Sequence, residues 1–236
     1  MSKQRSWSAP FSRRRMLALL GALGATPLTG WRRAFAADPG EAGRCVLIPR
    51  ETAGPFPLSA QLDNDALTRS DITEGRAGIP LELTFTLLDI HHGCQPIPGN
   101  ASVYVWHCDR DGVYSGYGSA TGQTFMRGLQ PVDEHGRVRF ETVYPGWYRG
   151  RITHIHFQVF LHGDTTATAT SQLVFPDAIT RAVYHSPLYP RGPNRSVATV
   201  DADFLFRDGA PHQTASISGS VADGFRASLE VGIDLG

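Results

Sequence analysis

The sequence predicts an all-β domain, a β-sandwich of antiparallel strands with an extended N-terminal arm. Three observations carry that expectation. Short runs rich in β-branched and aromatic residues recur from residue 81 onward. Turn-forming clusters divide them, among them "IPGN", "DRDG", "DEHG" and "LHGD". No stretch sustains the apolar period of a long amphipathic helix. Several short strands at this spacing argue a sandwich.

Taken in order, residues 1–36 read as an export leader. "SRRRMLALLGALGA" places Arg13, Arg14 and Arg15 before an apolar run from Met16 to about Ala25, and "AFAA" supplies small residues for cleavage around Ala36. The run is too short and wrongly flanked for a membrane span. Ser12-Arg13-Arg14 ahead of Met16-Leu17 resembles the twin-arginine class, which exports folded proteins, so a periplasmic or extracellular site is expected. Seven of the 22 basic residues and none of the 22 acidic ones lie in this leader, which leaves 15 against 22 and a net charge of about −7. A mildly acidic domain suits neither nucleic acid nor an anionic membrane surface, so no stable membrane association is expected after export. Beyond the leader every fixed positive side chain is arginine.

Residues 37–80, rich in Gly, Pro, Asp and Arg, read as the arm and a pocket loop; residues 81–236 read as the catalytic sandwich. Its expected strands are "LELTFTLLDI" (81–90), "ASVYVWHC" (101–108), "GRVRFETVY" (136–144), "HIHFQVFL" (154–161) and "ATSQLVFP" (169–176). "FPDAITRAVY" suits one short helix, and "ADFLFRD" and "ASISGSVADGFRASLEVGID" suit two or three more strands. Cys45, Cys94 and Cys108 allow one disulfide and an odd thiol; Cys94 with Cys108, closing the shortest loop, is favoured, with buried free thiols as the alternative.

The chemistry concentrates in "GWYRGRITHIHFQV", residues 146–159. His154 and His156 are two apart, which on a strand puts both imidazoles on one face. Neutral imidazole suits Zn, Cu, Fe and Ni. Tyr148 lies just upstream, and a phenolate forms there only if a cation lowers its pKa from about 10, as a hard trivalent metal does. A second stretch, "VYVWHCDRDGVYSGYG" (103–118), leaves a strand at Trp106 and presents Tyr114 and Tyr117 from a turn. On the residues alone, a tyrosine-capped sheet edge explains this stretch equally well.

"VWHCDRDGVYSGY", "YPGWYRGRITHIHF" and "PRETAGPFPL" together resemble the intradiol ring-cleavage dioxygenases, over about Cys45 to Pro176. The chain is most similar to their small exported members, which are like the β-subunit of protocatechuate 3,4-dioxygenase. The resemblance implies one non-haem Fe(III) per chain, held by Tyr114, Tyr148, His154 and His156. It implies cleavage of a catechol-type ring with O2 to a muconate-type diacid. Tyr148 then also takes a substrate proton, and Arg151 stabilises developing negative charge as a permanently protonated donor. Gln172, in "SQLVF", matches a pocket glutamine, and Gly54, Pro55 and Phe56 match a substrate-contacting loop. Where many relatives read Thr-Glu-Gly-Pro, this chain has Thr52-Ala53-Gly54-Pro55. That leaves the particular catechol open, as it does the oligomeric state.

His107 is expected to be structural; His91, His92, His135, His162, His185, His212 and Arg149 are expected at the surface. Arg151 has a second reading, as a salt bridge tying its loop to the sheet. The competing function is a secreted β-sandwich that binds a metal or ligand without catalysis.

Overall fold

The computed structural model describes residues 45–58, 65–207 and 210–236; the leader, part of the arm and the expectations placed on them lie outside the described residues. The described residues form nine strands: β1 (Pro80–Asp89), β2 (Gln95–Pro96), β3 (Ala101–Trp106), β4 (Arg127–Pro131), β5 (Arg137–Val143), β6 (His154–Leu161), β7 (Ala169–Val174), β8 (Ser216–Ser220) and β9 (Gly224–Ile233). One sheet runs β2-β1-β9-β8, with β5 also paired to β1; the other runs β4-β3-β6-β7. The expected all-β sandwich is the architecture found.

Alternation makes the two layers. Along β1, Leu81, Leu83, Phe85 and Leu87 are buried while Glu82, Thr84 and Thr86 are partly exposed. Across from them, β3 turns Val103 and Val105 inward and β6 turns Ile155, Phe157, Val159 and Leu161 inward, all within one apolar cluster. Because side chains alternate faces, the even-numbered residues of these two strands point away from that core. Tyr104, Trp106 and Phe160 gather in a second cluster with Tyr114, Leu67 and Cys108. His154 and His156 are thereby on the outer face of the four-stranded sheet, yet 3 % and 1 % exposed, because arm and loops cover that face.

Three differences from the sequence expectation have physical causes. β1 and β9 pair in parallel, from Leu81↔Phe225 to Asp89↔Ile233, whereas every other strand pair is antiparallel. No hairpin joins these two strands, so no turn dictates their relative direction. "ADFLFRD" is no strand: a short 3-10 turn covers Val200–Ala202. There the Asp203 carboxylate accepts the backbone N–H groups of Ile152 and Leu205, a local alternative to a sheet ladder. Conversely β4, "RGLQP", has poor strand propensity and forms because β3 offers it a full antiparallel register. The one predicted helix is α1 (Asp177–Tyr184); a second short helix, α2 (Ala210–Gln213), was not foreseen.

The disulfide joins Cys45 to Cys94, not Cys94 to Cys108 as favoured from loop length; Cys108 is a buried free thiol. Proximity in sequence gave way to proximity in the sandwich. The arm runs beside β9, with Leu47 bridged to Gly232, and this carries Cys45 to the turn after β1. The thiol of Cys108 is pushed up to about 12, by burial first and the neighbouring Asp109 charge second, so it is unreactive. We expect native protein from an oxidising compartment to label no thiol, and the unfolded, unreduced chain to label one. Cys94→Ser should cost about 2–4 kcal/mol of stability, as a disulfide closing a loop of this size does. Labelling of three thiols without reductant would overturn the pairing.

Candidate metal centre

Strand register builds the site. Trp106 on β3 is opposite Arg127 on β4 and opposite His156 on β6, and His156 is opposite Gln172 on β7. Directly opposed residues share a face. Arg127, Trp106, His156 and Gln172 therefore form one row across the whole sheet, each buried to within 1 %. The indole of Trp106 lies flat on the His156 ring, 4.8 Å between centroids and 6° between planes. One step along β6, His154 shares that face.

Two loops bring the tyrosines to this pair. Tyr114 follows the Asp109–Gly112 turn, where the Asp109 carboxylate accepts the N–H groups of Asp111 and Val113. Tyr148 leaves the "PGWY" segment, anchored by Gly146 N–H to Asp109 O at 3.0 Å. Both hydroxyls come within 3.5 Å of His154 Nε2, and His156 Nε2 is 3.1 Å from the same atom. Among the described residues no three His, Cys, Asp or Glu side chains converge, so a donor set here needs its tyrosines.

These four donors fit a metal. Ligands about 2.0–2.1 Å from an ion lie roughly 2.9–3.4 Å apart in octahedral or tetrahedral arrangement, and the spacings found are 3.1 and 3.5 Å. His154 Nδ1 donates to Ile152 O at 2.6 Å, which leaves Nε2 with its lone pair toward the cluster. His156 Nδ1 has no partner among the described residues. If His156 is protonated on Nδ1, two imidazole lone pairs face each other; if on Nε2, a buried acceptor is orphaned. A cation between the rings removes the first conflict and lets the Trp106 stack hold the second ring.

Electrostatics agree. Burial holds His154 down to about 3, with the Arg151 charge adding to it. Burial and then His154 hold His156 well below its ordinary value. Both rings are neutral, as ligands must be. Burial raises Tyr114 well above 10 and raises Tyr148 less, with Arg151 opposing the rise there. Each phenol stays protonated unless a strong positive charge joins it.

Arg151 makes the salt bridge of its second reading and also reaches toward the cluster. Nε bonds the Asp203 carboxylate at 2.8 Å, tying the loop down, while Nη2 donates to Gln172 Oε1 at 2.7 Å and the guanidinium faces Tyr148. Gln172 in turn donates to Thr52 O at 3.0 Å, so the arm is bonded to the same network. Gly54 and Phe56, from the loop the sequence singled out, lie against the cluster. A Cβ on Gly54, whose φ is +66°, would stand 3.1 Å from His156 Cε1. The Phe56 ring stacks on Tyr114 at 4.5 Å and meets Tyr117 edge-on at 5.0 Å.

His107 is structural: Nδ1 donates to Cys108 O and Nε2 meets Thr142 Oγ1, each at 2.8 Å. His91, His92, His135, His162, His185, His212 and Arg149 are exposed. Asp203 and Arg127 escaped the sequence reading. "ADFLFRD", which contains Asp203, reads as a strand, and the arginine of "FMRGLQP" looks like one more surface charge.

No protein-family model matches the chain, and no curated protein matches it. Solved structures do. An intradiol ring-cleavage dioxygenase from Tetranychus urticae is 29 % identical, over 80 % of this chain and 95 % of that one, with a TM-score of 0.69. A second dioxygenase structure is 28 % identical over the same shares, with a TM-score of 0.70. In fold and in sequence the chain is similar to the intradiol ring-cleavage dioxygenases, and these matches support that enzyme class. The dioxygenase domain of a carbohydrate-binding fusion from Streptomyces sp. SirexAA-E, 22 % identical over 81 % of this chain and all of that domain at a TM-score of 0.56, shares the fold. These matches are to dioxygenases and favour an enzyme over a non-catalytic binding sandwich.

Burial of neutral histidines gives the metal-free dioxygenase a pH signature. His107, pushed down to about 4 chiefly by burial, stays neutral in the fold while the unfolded chain takes up its proton near 6.5. Its contribution is present above pH 6.5 and is lost as pH falls toward 4, on the order of 3 kcal/mol. Urea unfolding at pH 7 and pH 4.5 should show that loss, and His107→Gln should reduce it. Equal stabilities at the two pH values would show that the ring is not sealed from solvent.

Proposed function

We propose that this chain cleaves the ring of a catechol-type substrate between its two hydroxyl-bearing carbons, placing both atoms of O2 in a muconate-type diacid. The observation that carries this reading is the convergence of Tyr114, Tyr148, His154 and His156, with donor atoms 3.1–3.5 Å from or at one histidine nitrogen. Bound among these four, ferric non-haem iron, one per chain, would supply Lewis acidity toward a catecholate and electron demand that opens the ring to oxygen.

The chain's own residues then divide the work. His154 and His156 are neutral donors whose rings are pre-set by Ile152 O and by Trp106. Tyr114, 5 % exposed and stacked by Phe56, is the fixed phenolate. Tyr148 is the more accessible of the two and has Arg151 at its hydroxyl. It can release its place and take the proton of an incoming catechol hydroxyl. Arg151, oriented by Asp203 and Gln172, keeps positive charge beside the oxygen that becomes negative. Gly54, Pro55 and Phe56 form the substrate wall, and Gln172 braces it through Thr52. The balance is one catechol and one O2 to one diacid, so no further reductant is required.

The leader-like N-terminus supports export to the periplasm or beyond, and the Cys45–Cys94 disulfide accords with an oxidising compartment. Loading iron before export would keep the site from competing Zn and Cu.

The test is a visible spectrum of the purified protein, before and after catechol is added under nitrogen. A broad tyrosinate-to-Fe(III) band that moves to longer wavelength with catechol is expected. Tyr148→Phe should retain iron while turnover falls by about 10²–10⁴-fold, the scale of general acid–base catalysis. His156→Ala should lose iron. Protein that stays colourless after Fe(III) reconstitution, or catechol cleavage by metal-free His156→Ala, would defeat the proposal.

A further inference from the structure

Arg127 is fully buried, and no carboxylate among the described residues pairs with it. A guanidinium cannot shed its proton, so every donor must be met by a neutral acceptor. Nε donates to Ser115 Oγ at 2.9 Å and Nη2 to Ser115 O at 2.8 Å. Nη1 donates to Tyr104 Oη at 3.0 Å. Ser115 is the residue after Tyr114. Tyr104 Oη in turn donates to Pro57 O at 2.8 Å, in the loop that carries Phe56.

The same two segments meet again above the guanidinium. Leu58 N–H donates to Tyr117 Oη at 3.4 Å, and the guanidinium carbon is 5.8 Å from the centre of that ring. The Leu58 side chain packs on the backbone at Gly116, where a Cβ would stand 2.3 Å from Leu58 Cδ1. One cation at the end of the cross-sheet row thus holds the loop bearing Tyr114 and, through Tyr104, the wall over His156.

We propose that Arg127 is a positioning residue that locks the Gly54–Leu58 wall to the Tyr114–Tyr117 loop and thereby sets the width available to a substituted catechol ring. The part concerning the ring rests on the dioxygenase reading; the lock itself does not. An apolar side chain could fill the same volume, but it could not join two loops by three directed bonds. Of the three Arg127 bonds only the one to Tyr104 leads to the wall, which makes the two halves of the lock separable.

The experiment uses Arg127→Met, which keeps bulk and removes the donors, and Tyr104→Phe, which cuts the link to Pro57 and one Arg127 bond while leaving both Ser115 bonds in place. Amide exchange is measured in metal-free protein at Gly54, Phe56 and Leu58 and at residues 114–118. Tyr104→Phe should speed exchange in the wall by about tenfold, the scale of one lost hydrogen bond, and leave 114–118 near wild type. Arg127→Met should speed both. In the iron-loaded enzyme, both variants should narrow the preference for catechol over a bulky 4-substituted catechol by about tenfold, chiefly through the KM of the bulkier ring. Should Arg127→Met fail to fold, Tyr104→Phe still decides. Unchanged exchange in the wall, a uniform rise across the domain, or an unchanged preference in an active enzyme would overturn the lock. A wild type that turns over no catechol, with exchange changing as expected, would sink the dioxygenase reading and leave the lock standing.

Discussion

Two neutral imidazoles with nitrogens 3.1 Å apart, both sealed from water on the outer face of a sheet, form the contact on which the rest of this structure depends. Sheet faces turned away from a core ordinarily carry solvated side chains. Here the outer face is covered instead, by the arm, by the tyrosine loops and by the chain around Asp203. Covering it buries both histidines and Tyr114, with Tyr148 half-buried beside them, and leaves His156 Nδ1 without a partner among the described residues. Those are costs to the metal-free fold, offset when a cation enters, because the same burial that suppresses protonation keeps the imidazole lone pairs free.

Around that pair the buried charges are distributed unequally. Arg151 has a full counter-charge in Asp203, which itself accepts two backbone N–H groups. It is therefore stiff, and its remaining positive field falls on Tyr148. Arg127 has hydroxyls and a carbonyl instead of an acid among the described residues, and so retains more of its field inside the site. Buried ions rarely add stability over apolar residues of equal size. What they add here is orientation: Arg151 joins Asp203 to Gln172, and Arg127 joins Tyr104 to Ser115, the residue next to Tyr114.

Much of this was legible beforehand, for reasons that can be named. β6 was readable to the residue because polar and apolar side chains alternate from His154 to Val159, and the His-x-His spacing on it required no tertiary information to put both rings on one face. The tyrosines were readable as candidates, since turns at Asp109–Gly112 and Pro145–Gly146 present them. Arg127 and Asp203 were not. β4 has the composition of a loop, and only pairing with β3 brings its arginine into line with Trp106 and His156. Asp203 lies about fifty residues after Arg151 in a run with strand-like composition, and nothing in either local sequence points to the other. The Cys45–Cys94 pairing failed for the same reason: loop length is a local quantity, and the arm's path beside β9 is not.

The sequence by itself therefore determined the sandwich class, the strands with strong alternation, and the types of side chain able to hold a metal. Those are consequences of short-range periodicity and of side-chain chemistry, both carried by neighbouring residues. Only the tertiary structure decided that β1 and β9 run parallel, that Arg127, Trp106, His156 and Gln172 align in one row, and that Asp203 and Arg127 hold the loops over the site. Register and the pairing of distant charges are settled by which faces must be buried together, and no single segment of the chain contains that choice.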